Sequence, residues 1–131
     1  MSLRATLTLV GLVACIVGAV CLLAPGWLIG TVKSAEVTGP AITMARTVGV
    51  LLTSVGILNL MVRSHPPGRT LHAVMVANLV LQVSILPIDV GAWLVGTYET
   101  LGSWVPNTLL HVGLILLLSR HLTGSRDGDR R

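Results

Sequence analysis

Residues 5–24 read ATLTLVGLVACIVGAVCLLA, a run that contains no charged side chain. A helix of about 20 apolar residues is what crosses the hydrocarbon core of a bilayer. Arg4 precedes the run, as a basic residue precedes the core of a secretory signal, but such a core has only about 7–15 residues. We therefore interpret this segment as a retained first membrane-spanning helix.

The composition of the whole chain agrees with that interpretation. Of the 131 residues, 53% are hydrophobic and 11% are charged, and the mean hydropathy is +0.85. Soluble domains carry about 25% charged residues. The apolar residues fall into four long blocks, which predict an all-α integral membrane protein with no separate soluble domain.

The blocks predict four spans joined by short loops. They lie at about residues 5–24, 41–62, 71–97 and 104–122. The loop RSHPPGR, residues 63–69, ends the second span because two prolines and a glycine cannot continue a helix. Short loops place sequence neighbours side by side, so we expect residues 1–122 to form an antiparallel up-down four-helix bundle. Residues 123–131 are polar and predict a disordered cytoplasmic tail.

Basic residues mark one side of the predicted bundle. Lys33 is the only basic residue expected on the other side, where it is accompanied by Glu36 and Glu99. By the positive-inside rule, the protein is predicted to be a multi-pass protein of the cell membrane with both termini cytoplasmic. The net charge of +4 is then a topology signal and does not favour nucleic acid as a partner. The basic residues on the cytoplasmic side are Arg4, Arg63, Arg69, Arg120, Arg126, Arg130 and Arg131.

Three ionisable residues interrupt the later spans. Arg46, Asp89 and His111 come from three different spans, yet each is predicted to lie about 9–14 Å below the outer edge of the membrane. Charged groups inside a membrane are costly and are commonly functional. We therefore predict that these three side chains meet and form the catalytic centre.

Helical spacing adds polar residues to this centre. Asn78 and Gln82 share a face of the third span with Asp89, and Asn107 shares a face of the fourth span with His111. On the second span, a stripe of polar and small residues that includes Arg46 is expected to face the interior. The predicted substrate-binding residues are Asn78, Gln82, Asn107, Thr53 and Trp93.

Pro87 is expected to bend the third span next to Asp89. Proline has no backbone N–H, and its ring crowds the carbonyl four residues earlier, here that of Val83. Such a bend should open space beside the carboxylate. The sequence thus predicts room for a ligand at this level of the bundle.

The polar centre has two interpretations. In one, Arg46 and Asp89 form a structural ion pair that fixes helix register, and His111 makes an interhelical hydrogen bond. In the other, Asp89 and His111 exchange protons with a lipophilic substrate while Arg46 tunes their pKa values and binds developing negative charge. No metal or other cofactor is expected, because two convergent ligands are fewer than the three of a catalytic zinc site.

Three segments carry a resemblance to a known family. LAPGWLIG (residues 23–30), ARTVGVLLTSVGILNLMVR (residues 45–63) and PIDVGAW (residues 87–93) resemble the DoxX-like group of small four-helix membrane proteins. The resemblance implies a four-helix bundle with an interior site at the level of Arg46. It does not imply one chemistry, because that group includes accessory redox subunits.

The leading hypothesis is a small membrane enzyme without a cofactor. It would perform acid–base chemistry on a lipophilic small molecule, such as isomerisation, cyclisation or epoxide opening. The alternative is a non-enzymatic scaffold or accessory subunit of a larger complex, and a transporter ranks third because the first span has almost no polar residues. Gly11, Ala14 and Gly18 provide a packing face on the first span, either within the bundle or in a homodimer.

Overall fold

The computed structural model describes residues 1–124, which contain helices and no strands. The four long helices are α1 (Leu3–Leu23), α2 (Gly39–Val62), α3 (Arg69–Leu94) and α4 (Val105–Gly124). Four helical segments are long and apolar enough to cross a membrane, the last of them running from Leu101 to Leu122. For the described residues, the prediction of an all-helical protein with four such segments is confirmed. Residues 125–131 of the predicted tail lie outside the described residues.

The first two helices begin at side-chain caps. Ser2 Oγ accepts a hydrogen bond from the Ala5 backbone N–H at 3.2 Å, and Thr38 Oγ1 accepts one from the Ala41 N–H at 3.3 Å. Each cap satisfies a backbone donor that the first helical turn leaves without a partner. After α1, a short helical segment (Pro25–Trp27) and a π-helical turn (Leu28–Val32) lead the chain to Lys33.

Glycines bring the backbones of α1 and α2 into contact. A Cβ atom on Gly11 would lie 2.9 Å from the carbonyl oxygen of Gly56, and one on Gly49 would lie 2.8 Å from that of Gly18. Real Cβ atoms do not approach oxygen so closely, so any side chain here would separate the helices. Gly11 and Gly18 of the first span are therefore used for packing within the chain.

The orientation of α2 differs from the prediction by one residue. Thr53, together with Gly49 and Gly56, faces α1 rather than the interior of the bundle. Each residue of α2 that borders the interior cavity lies one position before a residue of the predicted stripe, and all of these residues are apolar. A shift of one residue rotates a helix by about 100°, which is enough to exchange one face for the next. The cavity-facing residues of α2 are Ala45, Val48, Leu52 and Val55.

Helix α3 ends at Leu94, three residues before the predicted limit at residue 97. Gly96 follows with a φ of +77°, a conformation that favours glycine. The Thr97 N–H donates to the carbonyl of Ala92 at 2.8 Å, so the chain turns back after the helix. This turn returns Tyr98 towards the last turns of α3.

Apolar side chains serve both inside and outside the bundle. Val10 of α1 packs with Leu114 and Leu118 of α4. A second buried cluster joins the first three helices. Other large apolar residues on the long helices are mostly exposed, including Leu23 at 85% and Leu94 at 70%. Soluble proteins rarely expose apolar surface on this scale. The second cluster consists of Leu7, Val62, Leu71 and Met75.

Candidate functional site

A cavity of about 590 Å³ lies between the four long helices. Its volume falls within the range of about 300–1,000 Å³ that is typical of small-molecule sites. Most of its wall is aliphatic, and all four helices contribute to it. A ligand that fills this space must therefore be largely apolar. The aliphatic lining includes Val13, Val17, Val48, Leu52, Ile85 and Leu110.

Asp89 forms an ion pair at one end of the cavity. Its Oδ1 lies 3.6 Å from Nζ of Lys33, and its Oδ2 accepts a hydrogen bond from the Asn107 side-chain amide. The residue is only 4% exposed. A buried carboxylate needs a cation and hydrogen-bond donors to remain charged, and both are present here.

Tyr98 completes this lysine–aspartate cluster, which we define as Lys33, Asp89, Tyr98 and Asn107. The ammonium of Lys33 lies 4.9 Å from the centre of the Tyr98 ring, within the range of a cation–π contact. Burial raises the pKa of the Tyr98 hydroxyl, and the negative charge of Asp89 and a hydrogen bond to that carboxylate raise it further. Tyr98 is thereby kept protonated and donates to Asp89.

The cluster presents its donors to the cavity and keeps its carboxylate behind them. Lys33, Tyr98 and Asn107 line the cavity, whereas Asp89 is not among the lining residues. The charges of Lys33 and Asp89 cancel at this end of the cavity. The surface offered to a ligand is therefore polar but carries no net charge.

His111 and Gln82 form the second polar contact between α3 and α4. Nδ1 of His111 pairs with Oε1 of Gln82, and both residues line the cavity. An amide oxygen can only accept, so its contact with a neutral imidazole favours the tautomer that carries the hydrogen on Nδ1. In that tautomer, His111 Nε2 keeps a lone pair that can accept a proton.

Asn59 and Asn78 form a reciprocal pair between α2 and α3. Each side-chain amide donates to the other's oxygen at 2.9 Å, and both residues are buried. Each also donates within its own helix, Asn59 to the carbonyl of Val55 at 2.9 Å and Asn78 to that of Val74 at 2.8 Å. With these bonds, Asn78 contributes to helix packing as well as to the cavity wall.

The expected ion pair between Arg46 and Asp89 is wrong. Arg46 is exposed on α2, and the cation that pairs with Asp89 is Lys33. Two physical causes explain the difference. The interior face of α2 lies one residue before the predicted stripe, and α3 ends only five residues after Asp89, which brings the carboxylate within reach of the loops.

Three further predicted features lie away from the cavity. Thr53 donates its hydroxyl hydrogen to the carbonyl of Gly49 at 2.8 Å on the α1 side of its helix. Trp93 is 40% exposed and packs against Trp104 with the rings tilted by 33° and their centres 5.4 Å apart. Pro87 is exposed on α3 and does not line the cavity, which lies between the helices rather than beside a bend at Pro87.

Of the predicted site residues, the structure brings four to the cavity wall and one directly behind it. Asp89 is the buried one, and the other four belong to α3 and α4. Sequence reasoning missed Lys33 and Tyr98, which lie in loops where helical spacing gives no information. The available signal was that Lys33 is the only basic residue expected on its side of the membrane. The four residues at the wall are Asn78, Gln82, Asn107 and His111.

Residues 1–124 contain no group of three or more His, Cys, Asp or Glu side chains placed to hold a metal ion. The polar groups that line the cavity are the Lys33 ammonium, the Tyr98 phenol, the His111 imidazole and side-chain amides. No protein-family model matches the chain, and comparisons with curated proteins and with solved structures also gave no match.

Proposed function

We propose that this protein is a small membrane enzyme that performs acid–base chemistry, such as isomerisation, on a lipophilic small molecule without a cofactor. The observation that carries the proposal is that the His111 imidazole, held by Gln82 through Nδ1, lines a mostly aliphatic cavity. An apolar cavity that excludes water strengthens the electrostatic interactions of any group that reacts inside it.

The proposed arrangement in the membrane is an antiparallel up-down bundle in the cell membrane with both termini cytoplasmic. The helix contacts support it, because residue numbers rise on one helix as they fall on the other: Gly11 meets Gly56, and Gly18 meets Gly49. The basic residues at both termini and in the loop at 63–69 support the orientation. In this arrangement the lysine–aspartate cluster faces the outer side.

His111 is the proposed proton-transferring residue. Asp89 is less suited to that role because its two oxygens are engaged by Lys33 and Asn107 and it does not line the cavity. Gln82 is a positioning residue, since it orients the ring and sets its tautomer. General acid–base catalysis requires such a group within hydrogen-bond reach of the substrate proton.

Lys33 is the proposed partner for a substrate oxygen. Asn107, a member of the lysine–aspartate cluster, lies one helical turn from His111, a rise of about 6 Å. A carbonyl oxygen against the ammonium can then place a neighbouring carbon near His111 Nε2. With a β,γ-unsaturated ketone, His111 takes a proton from the α-carbon, and Lys33 stabilises the oxygen of the resulting dienolate. The imidazolium then returns the proton at the γ-carbon, which shifts the double bond, and the site gains no net charge because imidazolium and dienolate form together.

The test measures proton exchange and does not require the product to be identified beforehand. Purified protein is incubated in heavy water with the lipid extract of its host, and mass spectrometry follows deuterium uptake into individual lipids. We expect the wild type to label at least one lipophilic species and the His111→Gln variant to lose about 100-fold or more of that rate.

His72→Gln is the matched control, because His72 is exposed at the start of α3 and should leave labelling unchanged. Absence of labelling with the wild type, or equal labelling with His111→Gln, would contradict the proposed chemistry.

The second candidate function is a scaffold or accessory subunit of a larger membrane complex. The exposed Arg46 favours it, because a cation on the outer face of a membrane-spanning helix suits an acidic group on a partner. In that case Lys33 and Asp89, rather than Arg46 and Asp89, form the structural ion pair. Co-purification of a partner from membranes, lost in an Arg46→Leu variant, is the expected result.

A further inference from the structure

The cavity is elongated along the bundle. Its lining on α1 extends from Val10 to Cys21, which corresponds to a length of about 16 Å along the helix. Between these ends the residues of α1 that line it are apolar. An extended hydrocarbon chain fits such a space better than a compact polar molecule.

The charges at the polar end define what kind of headgroup can bind. Of the described residues that line the cavity, Lys33 is the only one with a permanent charge, and Asp89 compensates it at 3.6 Å. An anionic headgroup would bring a second negative charge to a cation that is already paired, while Asp89 remains nearby and repels it. A neutral group with one accepting oxygen can take a free N–H of Lys33 without adding charge.

We infer that the cavity selects a neutral lipid with one oxygen-bearing end, such as a long-chain ketone, and that Asp89 excludes anionic amphiphiles of the same length. This inference rests on the proposed function, because it names the substrate class of the same cavity. The oxygen lies against the lysine–aspartate cluster, and the chain extends along Val13 and Val17 towards the His111 level. Selection by charge here is separate from the proton transfer assigned to His111.

The experiment compares two probes with the same chain and different heads. Dodecanol is neutral, and dodecanesulfonate stays anionic at every pH used. Binding of each to the purified full-length chain is measured by native mass spectrometry after release from detergent. We expect the wild type to prefer dodecanol by about tenfold or more, since like charges in a poorly solvated site repel strongly.

Three variants test the part played by Asp89. Asp89→Asn leaves Lys33 uncompensated and should reverse the preference towards dodecanesulfonate. The double variant Lys33→Met with Asp89→Asn carries no charge at this end and should again prefer dodecanol. Glu99→Gln removes an equal charge from an exposed loop position and should leave the wild-type preference unchanged.

The outcomes separate this inference from the proposed function. A wild type that binds dodecanesulfonate as well as dodecanol, or an Asp89→Asn variant with unchanged preference, overturns the inference and leaves the proposed function standing. A wild type that binds neither probe overturns both. If Asp89→Asn does not fold, the wild type and the double variant decide, because both must prefer dodecanol.

Discussion

The contact between α1 and α2 differs in kind from the contact between α3 and α4. The first is made by glycines, and backbone lies against backbone at Gly11, Gly18, Gly49 and Gly56. The second is made by polar side chains, with Gln82 bound to His111 and Asp89 bound to Asn107. One half of the bundle is thus held by close packing and the other by hydrogen bonds.

The difference shows how a chain of this size can enclose a cavity. Close packing of α1 on α2 leaves no space between those helices and turns their remaining faces into an apolar wall. The polar contacts between α3 and α4 bring the His111 imidazole and the amides of Gln82 and Asn107 to the opposite wall. Three substitutions test this contrast, in order of decreasing expected effect.

The largest loss of stability is expected when the cation that pairs with Asp89 is removed. Lys33→Met leaves the buried Asp89 carboxylate without a cation, and we expect the free energy of unfolding to fall by about 3–5 kcal/mol. Unfolding in detergent, followed by loss of helical circular dichroism, measures the change. Lys33→Met with Asp89→Leu is the control and should recover most of the loss; if the double variant is as unstable as the single one, the ion pair is not the cause.

A smaller loss is expected in the glycine-packed half. In Gly49→Ala the new Cβ would lie 2.8 Å from the carbonyl oxygen of Gly18, so the helices must separate. The free energy of unfolding should fall by about 1–3 kcal/mol, as for other overpacked sites. Gly113→Ala on α4 is the matched control because its Cβ would meet nothing within 4 Å. Equal effects at both positions would remove the proposed distinction between the two contacts.

The smallest effect is expected for the pKa of Tyr98, the only tyrosine in the chain, when Asp89 is replaced. Its pKa lies above the ordinary 10.0, first through burial and then through Asp89. A raised pKa in the folded state stabilises the fold fully below pH 10 and loses that contribution as the pH rises through the folded value. Ultraviolet titration should therefore give a lower midpoint in Asp89→Asn than in the wild type, and an unchanged midpoint would show that the carboxylate does not act on the hydroxyl.

The sequence correctly predicted which residues share a face within a single helix. Asn78, Gln82 and Asp89 were expected on one face of α3, and all three are buried there. His111 and Asn107 were expected together on α4, and both reach the cavity. In the proposed membrane arrangement these positions follow because lipid cannot satisfy a polar side chain, which therefore selects the inner face.

Which face of a helix contacts which neighbouring helix or loop depends on tertiary packing, and the periodicity of one helix does not determine it. The stripe of Arg46, Gly49, Thr53 and Gly56 combined two preferences, because the glycines favour close packing while the arginine was expected to favour a polar interior. Close packing on α1 decided the rotation of the helix and left Arg46 exposed. Lys33 reaches Asp89 from a loop, whose path no periodic pattern describes.

The reciprocal pair of Asn59 and Asn78 has a consequence for membrane insertion. Each amide already has a partner in its own helix, the carbonyl of Val55 for Asn59 and that of Val74 for Asn78. In the proposed membrane arrangement, an asparagine with a local partner costs less to place in lipid, so α2 could enter the bilayer before α3 is synthesised. The second set of bonds then forms when the helices meet, and it joins two independently inserted hairpin arms in a single register.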